Sequence, residues 1–98
     1  MQRADVMHLI KKLEPSIRAL GASSVYLFGS TARDEASESS DVDILVDRAA
    51  PERLGFPEFF ELEELLETAL GVDIDLVTRE ALHPVLKAEI EQTAIRVL

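Results

Sequence analysis

From Asp5 to Leu20 the apolar residues Val6, Leu9, Ile10, Leu13, Ile17 and Leu20 recur three and four positions apart, the stripe of an amphipathic helix. Pro15 has no N–H to give and predicts a kink or a split within it. Gly21 predicts the stop. The period then changes. Ser24 to Phe28 carries Val25, Tyr26, Leu27 and Phe28 in one unbroken run, the pattern of a strand covered by other structure. Ser30 is placed to cap a short helix through Thr31, Ala32 and Arg33. The polar segment from Asp34 to Ser40 reads as a surface loop. A second strand, Asp41 to Val46, alternates Val42, Ile44 and Val46 against Asp41 and Asp43.

Ala49 to Gly55 is a connector broken by Pro51 and Gly55. A helix from about Pro57 to Leu70 follows, with proline and Glu58 in its first turn, where both are favourable. Phe59, Leu62, Leu66 and Leu70 form its apolar row, and Gly71 ends it. Val72 to Val77 predicts a third strand, with Val72, Ile74 and Leu76 on one face and Asp73, Asp75 and Val77 on the other. Thr78 is expected to cap a last helical region whose inward row is Leu86, Ile90, Ala94 and Val97. The order implies an α/β or α+β fold: a small mixed sheet of three strands, or slightly more, flanked by helices. The short segment between the first two strands suits an antiparallel return. The helix before the third suits a crossover.

Ninety-eight residues are expected to make one domain, residues 1–98. The chain has no apolar run of transmembrane length and no basic-then-apolar leader, so a membrane role is not expected. Absence of cysteine excludes disulfides and thiolate metal sites and fits a cytoplasmic protein. A formal charge of −9 argues against direct DNA or RNA binding, which needs clustered Lys and Arg.

The chemistry is concentrated between Val25 and Val46. Asp41 and Asp43, at i and i+2 of a strand, point to one face and suit a divalent cation better than a core. The Gly29-Ser30 turn, just ahead of a helix start, can offer N–H groups and a hydroxyl to a phosphate. Asp75, on the face shared with Asp73, brings a third carboxylate if the third strand lies beside the second. Mg²⁺ takes one or two such oxygens and fills its shell with water and phosphate. Two ions about 4 Å apart can clamp the attacking and leaving oxygens of a phosphoryl displacement. His8 and His83 have no partner ligand in the sequence, Tyr26 is expected in the core, and the run Glu58–Glu67 is expected to be a solvated helix face.

F-G-S, T-A-R, S-D-V-D-I-L-V and V-D-I-D-L-V-T together resemble the nucleotidyltransferase superfamily that includes DNA polymerase β. More closely they resemble its stand-alone minimal nucleotidyltransferase (MNT) members, whose hallmark is G-S, ten residues, then D-x-D. Here Thr31 to Ser40 are those ten. The resemblance implies that Asp41 and Asp43 bind two Mg²⁺ ions. It makes Asp75 the third carboxylate, ligating the catalytic metal and helping to deprotonate the acceptor. Gly29 and Ser30 would hold the triphosphate of ATP, with Arg33 facing the phosphates. Asp34 departs from the family, which usually has glycine there, and is expected to crowd the turn or alter its φ. Relatives of this size act as antitoxins to helical HEPN-domain RNase toxins, which they neutralise by transferring AMP to a tyrosine. The same function is implied here, with the acceptor supplied in trans. The alternative is an MNT-fold binding module that inhibits its partner by occlusion alone. A nucleotidyltransferase for a small metabolite or an RNA end is a third reading, with the acidity and short chain disfavouring RNA.

Overall fold

Leu13 ends the first helix, and the N-terminal apolar stripe is divided in two. In the computed structural model, which describes residues 1–35 and 41–98, α1 spans Arg3–Lys12 and α2 spans Glu14–Ala19. Pro15 lies in the first turn of α2, where its missing N–H has no helical partner to lose. Strand β1 (Ala22–Phe28) leads into the four-residue helix α3 (Gly29–Ala32). Ser30 is the second residue of that helix and not its cap. Position Phe28 takes the cap with no side-chain hydrogen bond, because the helix already begins at Gly29. Of the expected loop, residues 36–40 lie outside the described residues.

Strand β2 (Val42–Arg48) starts one residue later than expected, leaving Asp41 just ahead of it. Helix α4 (Phe56–Leu70) crosses to β3 (Ile74–Thr78), then a 3₁₀ turn (Arg79–Ala81), α5 (Pro84–Thr93) and β4 (Ile95–Arg96). Gly71 closes α4 in the left-handed conformation, with its N–H on the carbonyl of Glu67. The strands lie in the order β3-β2-β1-β4. The short return makes β1 and β2 antiparallel, and the α4 crossover makes β2 and β3 parallel.

Alternation divides the sheet into two faces. Val25, Leu27, Val42, Ile44, Val46, Ile74 and Leu76 form one continuous core with Val6, Ile10 and Ile17 from α1 and α2 and Leu62, Leu66 and Leu70 from α4. The opposite face carries Tyr26, Phe28, Asp43, Leu45, Asp47, Asp75 and Val77, with Leu45 fully buried there outside that core. Every helix that covers the sheet with a buried row lies on the first face, so the second is left for chemistry.

The C-terminal segment departs from its sequence pattern. None of the α5 residues is buried; Leu86 is half exposed and Val85 is three-quarters exposed. The helix stops at Thr93, and the expected inward row breaks with it. Val97 is buried, but beyond the helix, where its N–H donates to the carbonyl of Val25 at 2.8 Å. Residues Ile95 and Arg96 pair with Leu27 and Tyr26, adding the fourth strand. His83 caps α5: its Nδ1 accepts the Val85 N–H at 3.1 Å. Among the described residues, no helix is long and apolar enough to cross a membrane.

Candidate active site

Parallel pairing of β2 with β3 sets Asp43 in register with Asp75, so their carboxylates leave the sheet side by side on the open face. Antiparallel pairing with β1 sets Phe28 opposite Asp43. The chain therefore makes its Gly29 turn directly over that carboxylate. Gly29 has φ +64°, and a Cβ built on it would overlap Oδ2 of Asp43. Only glycine meets both conditions at this position. Asp41 precedes the strand and is exposed. Its charge reaches Asp43 nonetheless. Burial, then repulsion from Asp75, then repulsion from Asp41 push the Asp43 carboxyl above the ordinary carboxylate value, and Arg33 pulls it partway back.

Asp41, Asp43 and Asp75 are thus brought into one electrostatic neighbourhood with Gly29 and Arg33. Among the described residues, no three carboxylates or imidazoles are drawn together tightly enough to form a finished metal cage. The donor set still fits a hard cation. It is all oxygen, with two carboxylates adjacent and a third on an exposed lead-in, and an ion such as Mg²⁺ completes its shell with water and phosphate. The raised proton affinity of Asp43 marks a place where an added positive charge relieves repulsion.

The turn itself has four further features. Ser30 is half-buried, and its carbonyl accepts the Glu35 N–H at 2.9 Å. The Arg33 side chain is exposed and its Nε lies 3.2 Å from Glu35 Oε2, so the guanidinium is held beside the site by a surface ion pair. Thr31 is buried, and its hydroxyl has no hydrogen-bond partner among the described residues. Asp34 adopts φ +58°, a left-handed conformation that glycine enters without strain. Aspartate is among the few side-chain residues that enter this region, at a cost of about 1 kcal/mol. The expected change of φ is therefore not forced on the turn: Asp34 adopts the glycine-like backbone.

Sequence reading missed a second cluster on the same face. Arg79 donates from Nε and an Nη to both oxygens of Asp47 (2.7 and 3.0 Å), and to Glu91 of α5 at 2.8 Å. Its guanidinium lies 5.0 Å from the centre of the Tyr26 ring. Tyr26 is half-buried beneath this cation and not in the core. The hydrogen bond to Asp47 in particular makes Arg79 still harder to deprotonate. An alternating strand ending in T-R was the available signal, since Asp75, Val77 and Arg79 follow at steps of two.

A mixed sheet with one helix-covered face and a Gly-Ser turn set over adjacent carboxylates is the frame of a nucleotidyltransferase fold. The family model for the nucleotidyltransferase domain matches residues 10–97, and the chain belongs to that family. Over 77 residues it is 46% identical to the protein adenylyltransferase MntA of Thermococcus cleftensis, covering 78% of this chain and 71% of that protein. A solved structure assigned as a minimal nucleotidyltransferase superposes with a TM-score of 0.85 at 33% identity, over 97% of this chain and 95% of the other. An MNT antitoxin solved in complex with a tri-AMPylated HEPN toxin of Shewanella oneidensis gives a TM-score of 0.70 at 26% identity, over 99% of this chain and 72% of the other. A toxin–antitoxin structure containing AMP-PNP gives 0.74 at 29% identity, over 94% and 72%.

Proposed function

We propose that this protein is an antitoxin that transfers AMP from ATP, with Mg²⁺, to a tyrosine of a HEPN-domain RNase toxin. The observation that carries this reading is the register of Asp43 with Asp75 directly under the Gly29–Ser30 turn. A triphosphate held at the turn has its α-phosphorus presented to the carboxylates on the open face. Asp41 and Asp43 would hold Mg²⁺, with Asp75 as a third ligand; when bound, the metal supplies positive charge to the phosphate oxygens.

The tyrosine hydroxyl oxygen attacks the α-phosphorus, the bond from that phosphorus to the β-bridging oxygen breaks, and pyrophosphate leaves. Asp75, exposed at the edge of the site, takes the hydroxyl proton. Gly29 and Ser30 orient the phosphates, and Arg33 offsets their charge at the rim. The protein's contribution is positioning and electrostatics. The relatives named as adenylyltransferases and the AMPylated toxin complex support the donor and the partner class.

The test incubates the protein with labelled ATP, Mg²⁺ and the helical HEPN-type protein encoded beside it. Label is expected on a tyrosine of that protein, and none with Asp41→Asn/Asp43→Asn. Absence of transfer by wild type defeats the reading. If the double variant still protects cells from the toxin, protection is by occlusion. The occlusion alternative has two supports, Asp34 at the turn and the strongly acidic surface; the glycine-like φ of Asp34 weakens the first and leaves the second.

A further inference from the structure

Helix α1 begins beside the end of α3, and each helix caps the other. The backbone N–H of Arg3, first residue of α1, donates to Oδ1 of Asp34 at 3.0 Å. The guanidinium of the same residue donates through Nη1 to the carbonyl of Ala32, last residue of α3, at 2.8 Å. Both are groups that a helix end leaves without an internal partner. Gln2, in the cap position of α1, makes no side-chain cap, so a carboxylate from a distant part of the chain does it. A carboxylate at a helix N-terminus is also favoured by the helix dipole.

We propose that Arg3 and Asp34 are positioning residues that hold the Gly29–Ala32 turn in the shape that receives the phosphates of the donor nucleotide. The inference rests on reading that turn as the phosphate-binding element. Two observations separate the pair from ordinary surface packing. Asp34 sits at φ +58°, a conformation that a side-chain residue adopts only where something holds it. The far end of the turn, beyond the buried Thr31 and Ala32, has few ties of its own: α3 is four residues long, and its own side chains supply no cap. The Arg33, Asp34 and Glu35 N–H groups close back onto Gly29, Thr31 and Ser30, so the clasp acts at the point where the turn is tied off.

The test uses the full chain with three variants. Arg3→Met keeps the aliphatic stem and removes the guanidinium. Asp34→Gly keeps the backbone conformation and removes the cap. Asp34→Asn keeps an acceptor oxygen in a residue that tolerates positive φ. In ligand-free protein, amide exchange at Arg33, Asp34 and Glu35 should accelerate about fivefold in the first two variants, the worth of one hydrogen bond, and stay near wild type in the third. The dissociation constant for MgATP should rise by a similar factor in the same two, while kcat at saturating ATP holds. Unchanged exchange in Arg3→Met and Asp34→Gly overturns the clasp. Faster exchange with unchanged MgATP affinity overturns its link to the nucleotide. A wild-type chain that does not bind MgATP sinks the phosphate-binding reading itself, and the exchange data tell that failure from the others.

Discussion

The carboxylate of Asp43 occupies the space in which Gly29 would carry a side chain. Strand and turn are thereby locked: β2 cannot slip in register without losing this fit, and the turn cannot accept a larger residue. Gly29→Ala imposes both a left-handed alanine and a collision with Asp43. A loss of about 2 kcal/mol in denaturant unfolding is expected, with AMP transfer abolished. A variant as stable and active as wild type would show that the turn moves away from the carboxylate freely.

Burial and crowding of charge at Asp43 oppose folding once its carboxyl is ionised. Its folded-state pKa lies above the ordinary 3.8. Between those two values the folded chain binds more protons than the unfolded chain, so this group's contribution to stability falls as pH rises through the window. Asp43→Asn removes the repulsion from Asp75 and Asp41. At neutral pH it should melt at a higher temperature than wild type while losing transfer activity. Adding Mg²⁺ should raise the melting temperature of wild type and not of the variant. A lower-melting Asp43→Asn contradicts the crowding of charge.

Arg79 joins three elements: Asp47 on β2, Tyr26 on β1 and Glu91 on α5. Because α5 buries no residue of its own, this guanidinium is a principal tie between that helix and the sheet. Arg79→Met should cost about 2 kcal/mol, the range for hydrogen bonds to charged groups, and should speed amide exchange in α5 more than in α4. Equal exchange in both helices would remove this role from Arg79.

The buried Thr31 hydroxyl has no partner among the described residues. Replacing it with the near-isosteric valine removes an unsatisfied polar atom without opening a cavity. Thr31→Val should therefore equal wild type or exceed it by about 1 kcal/mol in urea unfolding. A clear destabilisation would mean that the hydroxyl is satisfied in solution, by water or by a bound group.

What the chain spells locally is what could be read from it. Alternation in V-D-I-L-V and V-D-I-D-L-V told which residues share a face, and the lengths of the segments between strands told which pairs run antiparallel or parallel. The choice of Asp75 rather than Asp73 as the third acid followed from the family likeness, not from period; the register beside Asp43 needed the structure. The end of the chain misled because Leu86, Ile90, Ala94 and Val97 keep helical spacing across a point where the backbone turns extended at Ala94. Two residues of strand are too short to carry a period of their own. Tyr26 reads as core for a similar reason: its neighbours are apolar, and the cation above it comes from Arg79, far along the sequence. Asp34 could be recognised as a departure from the family, but that it caps α1 depends on where Arg3 arrives in three dimensions.

Strand β3 lies at the border of the sheet, with the exposed acid Asp73 just ahead of it and the exposed Asp75 within it. A border strand offers unpaired backbone groups to any similar strand that approaches. Two copies meeting there would press acid against acid, and that repulsion would oppose the contact. Neutralising both would be expected to leave the fold intact and to make concentrated solutions prone to self-association. The acids at this border would thus have a second consequence, opposing edge-to-edge pairing of copies.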